Sequence, residues 1–406
     1  MRGLSAPLAG TRVVDLTRVL AGPYATMLLA EMGADVIKIE SPTGDESRRI
    51  PPMMDGESSY FRSVNSGKRS VVIDLTAPDG RRILHELVGE SHVVVESFRP
   101  ATAAKLGADY ETLRRVNPEI VVCSISGFGR GSSLEDAPAY DLMLQARAGM
   151  MAVTGHEGGA PTRLGVPAVD LAGGMNGAIG ILAALHAATK EGSGRHVDVA
   201  LFDGALSLLS YMAGAALNTG VDPGRVGSGH HSLVPYGAYR TRDGWLVLAV
   251  LGDKFWPRLC EALQLREFAA DPSLELNQGR LKRREEIDAA INRGLESLDQ
   301  AEALTALEAA GVPSAPLNSV LAALKDPLTL EREMVKGYRH PAGDYRVLRS
   351  PIRVLPEKDR DGLPAPALGQ HTLSVLREVL DCSAAQLEDW MARGVISSNE
   401  SMTERG

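Results

Sequence analysis

Three cysteines in 406 residues, Cys123, Cys260 and Cys382, are too few, too scattered and of the wrong parity for a disulfide framework, and their spacing matches no metal site. They fit a reducing compartment, so a cytoplasmic location is expected. No long hydrophobic run is present. The longest mostly apolar stretch, about 177–188, contains His186 and is too short to span a bilayer, so no membrane association is expected. Met1–Pro7 carries one Arg and no apolar h-region, which predicts no signal peptide. A dominant charge is lacking too: 43 basic against 51 acidic residues give a net charge of −8, which argues against a nucleic-acid binder but leaves room for a local basic pocket. There is no Walker A sequence, no Gly-x-Ser-x-Gly elbow and no internal repeat. Gly127-Phe128-Gly129-Arg130-Gly131 follows a predicted strand, but its spacing is not Gly-x-Gly-x-x-Gly, and nicotinamide binding is not expected.

What is there reads as a globular, enzyme-sized chain of two domains, since 406 residues exceed the usual single-core limit. The first 130 residues alternate between apolar runs and helical patterns. Strands are predicted at Thr11–Leu16, Ala34–Glu40, Arg69–Leu75, His92–Glu96 and Glu119–Ser126. Helices are predicted at Pro23–Met32, at Pro78–Gly89 with Thr76 as its cap, and near 101–106 and 110–116. Nearly continuous Val and Ile strands separated by helices indicate a parallel sheet covered on both faces, an open α/β domain of the doubly wound kind.

The middle changes character. A strand at Arg195–Leu201 precedes an Ala- and Leu-rich helix over about 202–217, and the Gly-rich stretch Thr219–His231 reads as a linker. Tyr236–Arg240 and Trp245–Leu251, flanking Arg242-Asp243-Gly244, make a hairpin. Helices over about 254–264, 278–296 and 299–310, and an extended Pro313–Leu317, complete a smaller α+β domain. A strand near Tyr345–Val354, a Pro-rich loop at 355–366, helices near 370–380 and 384–392, and a frayed polar tail over the last ten residues close the chain. The boundaries expected are 1–201 for the large domain, 202–231 a linker, 232–300 the small domain, 301–330 a second linker, and 331–406 a segment completing the domains.

Chemistry concentrates at Asp170, where the apolar run Gly165-Val166-Pro167-Ala168-Val169 meets a small-residue helix over about 171–190. Asp is a preferred N-cap, and a structural cap is the plainer reading. The sharper one is a nucleophile: helix amides favour an ionised carboxylate, and the glycines around it, Gly173, Gly174 and Gly177 among them, let another backbone or a bulky thioester come close. The other candidates are weaker. His230-His231 is adjacent rather than helically spaced, His156-Glu157 sits in a Gly-rich loop, and Lys282-Arg283-Arg284-Glu285-Glu286 reads as a charged helix face, so no metal is expected.

A set of segments in order carries a resemblance. It runs from Pro7-Leu8-Ala9-Gly10-Thr11-Arg12-Val13-Val14-Asp15-Leu16 through Ala21-Gly22-Pro23, Gly33-Ala34-Asp35-Val36-Ile37-Lys38-Ile39-Glu40, Asn65-Ser66-Gly67-Lys68-Arg69-Ser70 and Val95-Glu96-Ser97-Phe98-Arg99-Pro100. It continues with Ser126-Gly127-Phe128-Gly129, Tyr140-Asp141, Gly192-Ser193-Gly194-Arg195-His196-Val197-Asp198-Val199, Gly311-Val312-Pro313-Ser314-Ala315-Pro316 and Leu368-Gly369-Gln370-His371-Thr372. Over almost its whole length the chain resembles the class III CoA-transferases, the superfamily of formyl-CoA transferase, carnitine CoA-transferase and α-methylacyl-CoA racemase.

The resemblance implies a Rossmann-like large domain with an open parallel sheet, a smaller α+β domain, and two chains interlocked as a homodimer. It implies CoA thioesters as substrates with no tightly bound cofactor, and Asp170 as the nucleophile that forms an acyl anhydride and then an aspartyl-CoA thioester. By the same correspondence Val19, Leu20 and Ala21 lie over the CoA arm, Lys68, Ser97, Phe98 and Lys105 lie near its adenosine and phosphates, and Tyr140 and Asp141 belong to the site. Two departures from formyl-CoA transferase, Leu20 in place of a Gln and Ser232-Leu233-Val234-Pro235 in place of a Gly-rich loop, argue against oxalate as acceptor. The expected reaction moves CoA from succinyl-CoA to a small dicarboxylate such as malate, citramalate or mesaconate, with Arg18, Arg62 and Arg163 as candidate clamps for a second carboxylate. A racemase is disfavoured because it needs a His where Tyr140 stands, and a phenol with a pKa near ~10 is a weak base at neutral pH. A catalytically silent CoA-binding dimer is disfavoured because Asp170 and its glycines are intact.

Overall fold

Val- and Ile-rich runs that do not alternate with polar residues need cover on both faces. The computed structural model, which describes residues 6–340, 343–355 and 362–399, supplies it. Six parallel strands, β1 (Arg12–Asp15), β2 (Asp35–Glu40), β3 (Lys68–Ile73), β4 (Val93–Glu96), β5 (Val121–Ser126) and β6 (His196–Ala200), assemble in the order β3-β2-β1-β4-β5-β6. A short strand, Ile396–Ser397, adds antiparallel to the outer edge of β3. This is the doubly wound order, whose direction of winding reverses between β1 and β4. Val14, Ile37, Val71, Val94 and Val122 are buried at its centre.

The helices bearing on the site are α1 (Ala21–Glu31), α2 (Pro78–Gly89), α3 (Pro100–Leu106), α4 (Asp141–Arg147), α5 (Ala168–Glu191) and α6 (Leu201–Leu208). Helix α5 is long and apolar enough, by length and composition alone, to cross a bilayer. Its small residues serve close packing. A Cβ on Gly174 would lie 2.6 Å from the Ala21 carbonyl oxygen of α1, and one on Gly177 would lie 3.0 Å from Ile125 of β5. Glycine is therefore what lets α5 lie directly on α1 and β5.

The chain divides into two units. One contains the described residues up to Ala148, Gly165–Leu209 and the described residues from Leu330 on; the other contains Gly149–Leu164 and Ser210–Thr329. In the second, Tyr236–Arg240 and Trp245–Ala249 form the expected hairpin, and Ser314–Pro316 pairs antiparallel with Trp245–Ala249. Trp256, Leu259, Ile287, Ile291 and Leu307 from its helices fill the core beneath that sheet.

Several expectations change. Residues 149–164 leave the large unit. Residues 202–209 belong to it as helix α6 and its C-cap rather than to a linker, and 210–231 join the smaller unit. The expected linker over 301–330 is part of the smaller fold: Gln300–Ala309 is a helix and Ser314–Pro316 a sheet strand. The helix expected over 202–217 breaks at Ser210, whose φ is 48°, and the one over 278–296 breaks at Arg283. Thr76 does not cap α2; its hydroxyl donates to Asp74 at 2.6 Å, and Ala77 holds the cap position without a side-chain bond. Ser397, expected in the frayed tail, is paired in the sheet. Residues 356–361 of the Pro-rich loop and the tail beyond 399 lie outside the described residues.

Replacing Gly174 by Ala should lower stability by about 1–3 kcal/mol, because the added methyl meets backbone rather than a yielding side chain. Denaturant unfolding of the Gly174→Ala protein checks this; an unchanged midpoint would mean that α1 and α5 are not in tight contact.

Candidate active site

Open α/β sheets bind ligands beyond the carboxyl ends of their strands, where the winding reverses. A cavity of about 530 Å³ lies there. It is lined by Arg18–Gly22 after β1, Glu46 after β2, Ser97–Arg99 and Thr102 after β4, Ser126 and Gly127 at the end of β5, Leu201 after β6, and Tyr140 and Asp170.

Asp170 is the third residue of α5, not its N-cap. The helix begins at Ala168, with Pro167 at the cap position offering no side-chain bond. The capping is done through space: Asp141, the first residue of α4, accepts from the Val169 amide at 2.9 Å and the Asp170 amide at 3.4 Å. A carboxylate from another helix thus satisfies the orphan donors of α5 and leaves the Asp170 side chain free to face the cavity. Burial, and then the negative charge of Asp141, push the Asp170 carboxyl up to about 6. It remains ionised at neutral pH while being more basic, and so more nucleophilic, than an ordinary aspartate.

Below the turn at 17–21 lies a set of buried charges. Asp15 accepts from the Thr17 amide at 2.9 Å, from Thr26 Oγ1 at 2.7 Å and from Lys68 Nζ at 3.0 Å. Lys38 Nζ donates to the Thr17 carbonyl at 2.8 Å and pairs with Asp45 at 3.0 Å. The Val19 amide faces both oxygens of Asp45, at 3.2 and 3.3 Å. Val19 itself has φ 69°, in the left-handed region that a β-branched residue enters only with strain of about 1–3 kcal/mol.

A chain with such a site matches a known family. CoA-transferase family III covers residues 8–372. The chain belongs to that family. A succinate–glutarate CoA-transferase of Agrobacterium fabrum is 37% identical to it over 387 residues, 92% of this chain and 96% of its own. A succinyl-CoA:mesaconate CoA-transferase of Haloarcula hispanica is 38% identical over 379 residues, 90% of this chain and 95% of its own. The solved structure of a CaiB/BaiF family protein from Brucella suis aligns with a TM-score of 0.84 at 34% identity, covering 93% of this chain and 100% of that one.

The transferase brings together most of the residues singled out in its sequence. Val19, Leu20, Ala21, Ser97, Phe98, Tyr140 and Asp170 line one cavity. Lys68 is a correction: its amine is fully buried, bonded to Asp15, the Pro23 carbonyl and Asn65, and cannot meet a phosphate. Burial draws that amine down to about 8 against the pull of Asp15. Lys105 is exposed on α3 but is not among the lining residues, whereas Thr102 of the same helix is. Asp141 is not a lining residue either; it acts through the α5 amides. Of the three arginines, Arg18 lines the cavity and pairs with Glu46 at 3.0 Å. Arg62 is buried against the Tyr345 ring and paired with Glu57, and exposed Arg163 lies in the other unit. His230 stacks on Tyr211 and His231 bonds the Gly224 carbonyl, both in loop roles.

Sequence reasoning missed four polar cavity contributors and one neighbour. Glu46, Arg99, Thr102 and Glu135 line the cavity. Tyr60, held on a helix capped by Ser58, is pushed up to about 12 by burial and then by Asp170, Asp45 and Asp141, so its phenol stays protonated beside the nucleophile. Nothing local in the sequence marks it.

Because the Asp170 carboxyl titrates near 6, kcat/KM should fall as pH drops through that value. The same shift carries a stability cost. A carboxyl whose folded pKa exceeds its unfolded 3.8 stabilises the fold relatively when protonated, and the penalty grows as pH rises through the folded value. Asp170→Asn should therefore melt higher than the parent at pH 7.5, and the gap should close below about pH 4. Thermal melts at both pH values check the sign; a less stable variant at pH 7.5 would contradict the burial argument.

Proposed function

We propose that the transferase moves CoA from succinyl-CoA to a small dicarboxylate through covalent intermediates on Asp170. The observation that carries this is the carboxylate itself: ionisable near pH 6, in the first turn of α5, facing the cavity with its helix capped by another residue. The two relatives named for succinate–glutarate and succinyl-CoA:mesaconate transfer support the substrate classes.

An Asp170 oxygen attacks the donor thioester carbonyl, the C–S bond breaks, and CoA leaves as thiolate from a mixed anhydride. The thiolate attacks the aspartyl carbonyl, expelling the donor carboxylate and leaving an aspartyl-CoA thioester. An acceptor carboxylate displaces the thiolate to form a second anhydride. The thiolate then takes the acceptor acyl group and restores the Asp170 carboxylate. Every bond broken is replaced by one of the same kind, so no further energy source enters. Holding the CoA arm along the 18–22 turn keeps the thiolate close between steps, and exclusion of water protects anhydrides from hydrolysis. Arg18 and Arg99 supply positive charge at the cavity for phosphate or carboxylate groups.

Asp170→Asn should abolish transfer while leaving the fold intact, since an amide cannot form the anhydride. Mass spectrometry of CoA esters from succinyl-CoA paired with glutarate, mesaconate or malate identifies the acceptor. Hydroxylamine added during turnover should modify Asp170. Transfer at parental rates by Asp170→Asn would end this mechanism.

We infer also that two chains interlock. Each unit leaves large apolar side chains in water, among them Ile179 at 65% exposure in the first, and Leu217 at 86% and Val320 at 77% in the second. These side chains are available to a subunit contact. In this reading Asp170 of one chain works with the Ser232–Gly237 loop of the other. Co-expressing an Asp170→Asn chain with one disabled in that loop should restore part of the activity, whereas mixing the two folded homodimers should restore none. An active monomer in sedimentation would rule this arrangement out.

A further inference from the structure

The buried Lys38–Asp45 pair has no place in the chemistry above, yet it sits under the one turn that forms the near wall of the cavity. Both side chains are essentially inaccessible to water. Buried ion pairs are rarely more stable than apolar residues of the same volume, so this one calls for another use. Its bonds point to that use. Lys38 grips the Thr17 carbonyl, and Asp45, which caps the short helix Glu46–Arg49 by accepting from the Ser47 amide at 2.9 Å and its hydroxyl at 2.7 Å, also turns both carboxylate oxygens to the Val19 amide. The turn is clamped at its two ends by opposite charges that also hold each other. Between the clamps Val19 is forced to φ 69°, and from it Leu20, Ala21 and Gly22 enter the cavity wall. The neighbouring Glu46 holds Arg18 on the same cavity.

We propose that Asp45 is a positioning residue for the CoA ester: by holding Val19 in the left-handed conformation it sets the backbone of residues 19–22 against the CoA arm. The Val19 strain is what a clamp must overcome, and its location at the cavity agrees with strain being kept where geometry matters. Without the carboxylate, Val19 relaxes to negative φ and the turn leaves its place.

The proposal rests on the cavity being the CoA site, so CoA affinity by calorimetry is read alongside kcat and KM. If the parent binds CoA but transfers from no succinyl donor, the proposed reaction fails and the affinity comparison still stands. Asp45→Asn should weaken CoA binding and raise KM by about tenfold or more, as small misplacements at a site do. The decisive variant is Asp45→Asn combined with Val19→Gly. Glycine enters positive φ about as readily as negative, so the combination should bind CoA within about twofold of the parent. Its melting temperature should stay depressed, because Lys38 has lost one of its buried counter-charges. A purely structural role predicts the reverse, no recovery of affinity by glycine. That result, or unchanged CoA affinity in Asp45→Asn, overturns the proposal. If Asp45→Asn does not fold, Lys38→Met with Asp45→Ala removes the charges together, and adding Val19→Gly to that pair runs the same comparison.

Discussion

Across β1, β2 and β3 and the loop that follows β2, the charged side chains of Asp15, Lys38, Lys68 and Asp45 are sealed from water, and the geometry of the turn beside the cavity follows from how they satisfy one another. Asp15 closes β1, Lys38 lies in β2, Lys68 opens β3, and Asp45 follows β2. Burial alone would drive Asp15 to take up a proton. The nearby amines of Lys68 and Lys38 and the hydroxyls of Thr17 and Thr26 hold it instead well below the usual carboxylate range. Removing one member would strand its partner, and uncompensated buried charge costs several kcal/mol, roughly 3–5 in measured cases. Each pair is therefore best kept or removed together, and the intact set holds the 17–21 turn and the cavity wall it forms.

Opposite that wall the logic inverts. Asp141 and Asp170 are like charges near each other with no counter-ion among the causes of the Asp170 shift. The α5 amides give Asp141 its compensation, and Asp170 keeps the discomfort. One side of the cavity is thus built from fully paired charge and is rigid. The other retains an underpaired carboxylate and is reactive. A nucleophile needs both: a poised group and a substrate that cannot drift from it.

Much of this was legible from local pattern. The helices Pro78–Gly89 and 384–392 and the five N-terminal strands follow from periodicity, Pro and Gly punctuation, and runs of Val and Ile. Asp170 stood out because a lone carboxylate amid glycines is unusual. What local pattern could not show depends on distant partners. A lysine reads as surface, and Lys68 is buried only because Asp15, 53 positions earlier, waits for it. Asp141 caps a helix whose first turn lies 28 residues on. Val19 takes a glycine-like conformation because of Asp45, and the breaks at Ser210 and Arg283 interrupt patterns that are periodic on either side. Within 301–330 the helix and the extended Pro313–Leu317 were legible, but the antiparallel pairing of Ser314–Pro316 with Trp245–Ala249 was not, because it joins stretches some seventy residues apart.

The last strand of the large sheet is also nearly the last part of the chain described. Ile396–Ser397 covers the edge of β3, and Leu373, Leu376, Leu387 and Trp390 fill the core beside it. During synthesis, then, a six-strand sheet waits with one edge unpaired and one face partly bare while some two hundred further residues, including the whole of the smaller unit's main segment, leave the ribosome. Until that late segment arrives the edge of β3 can pair with other chains. A two-residue strand, far in sequence from any reacting atom, therefore guards the sheet against its neighbours.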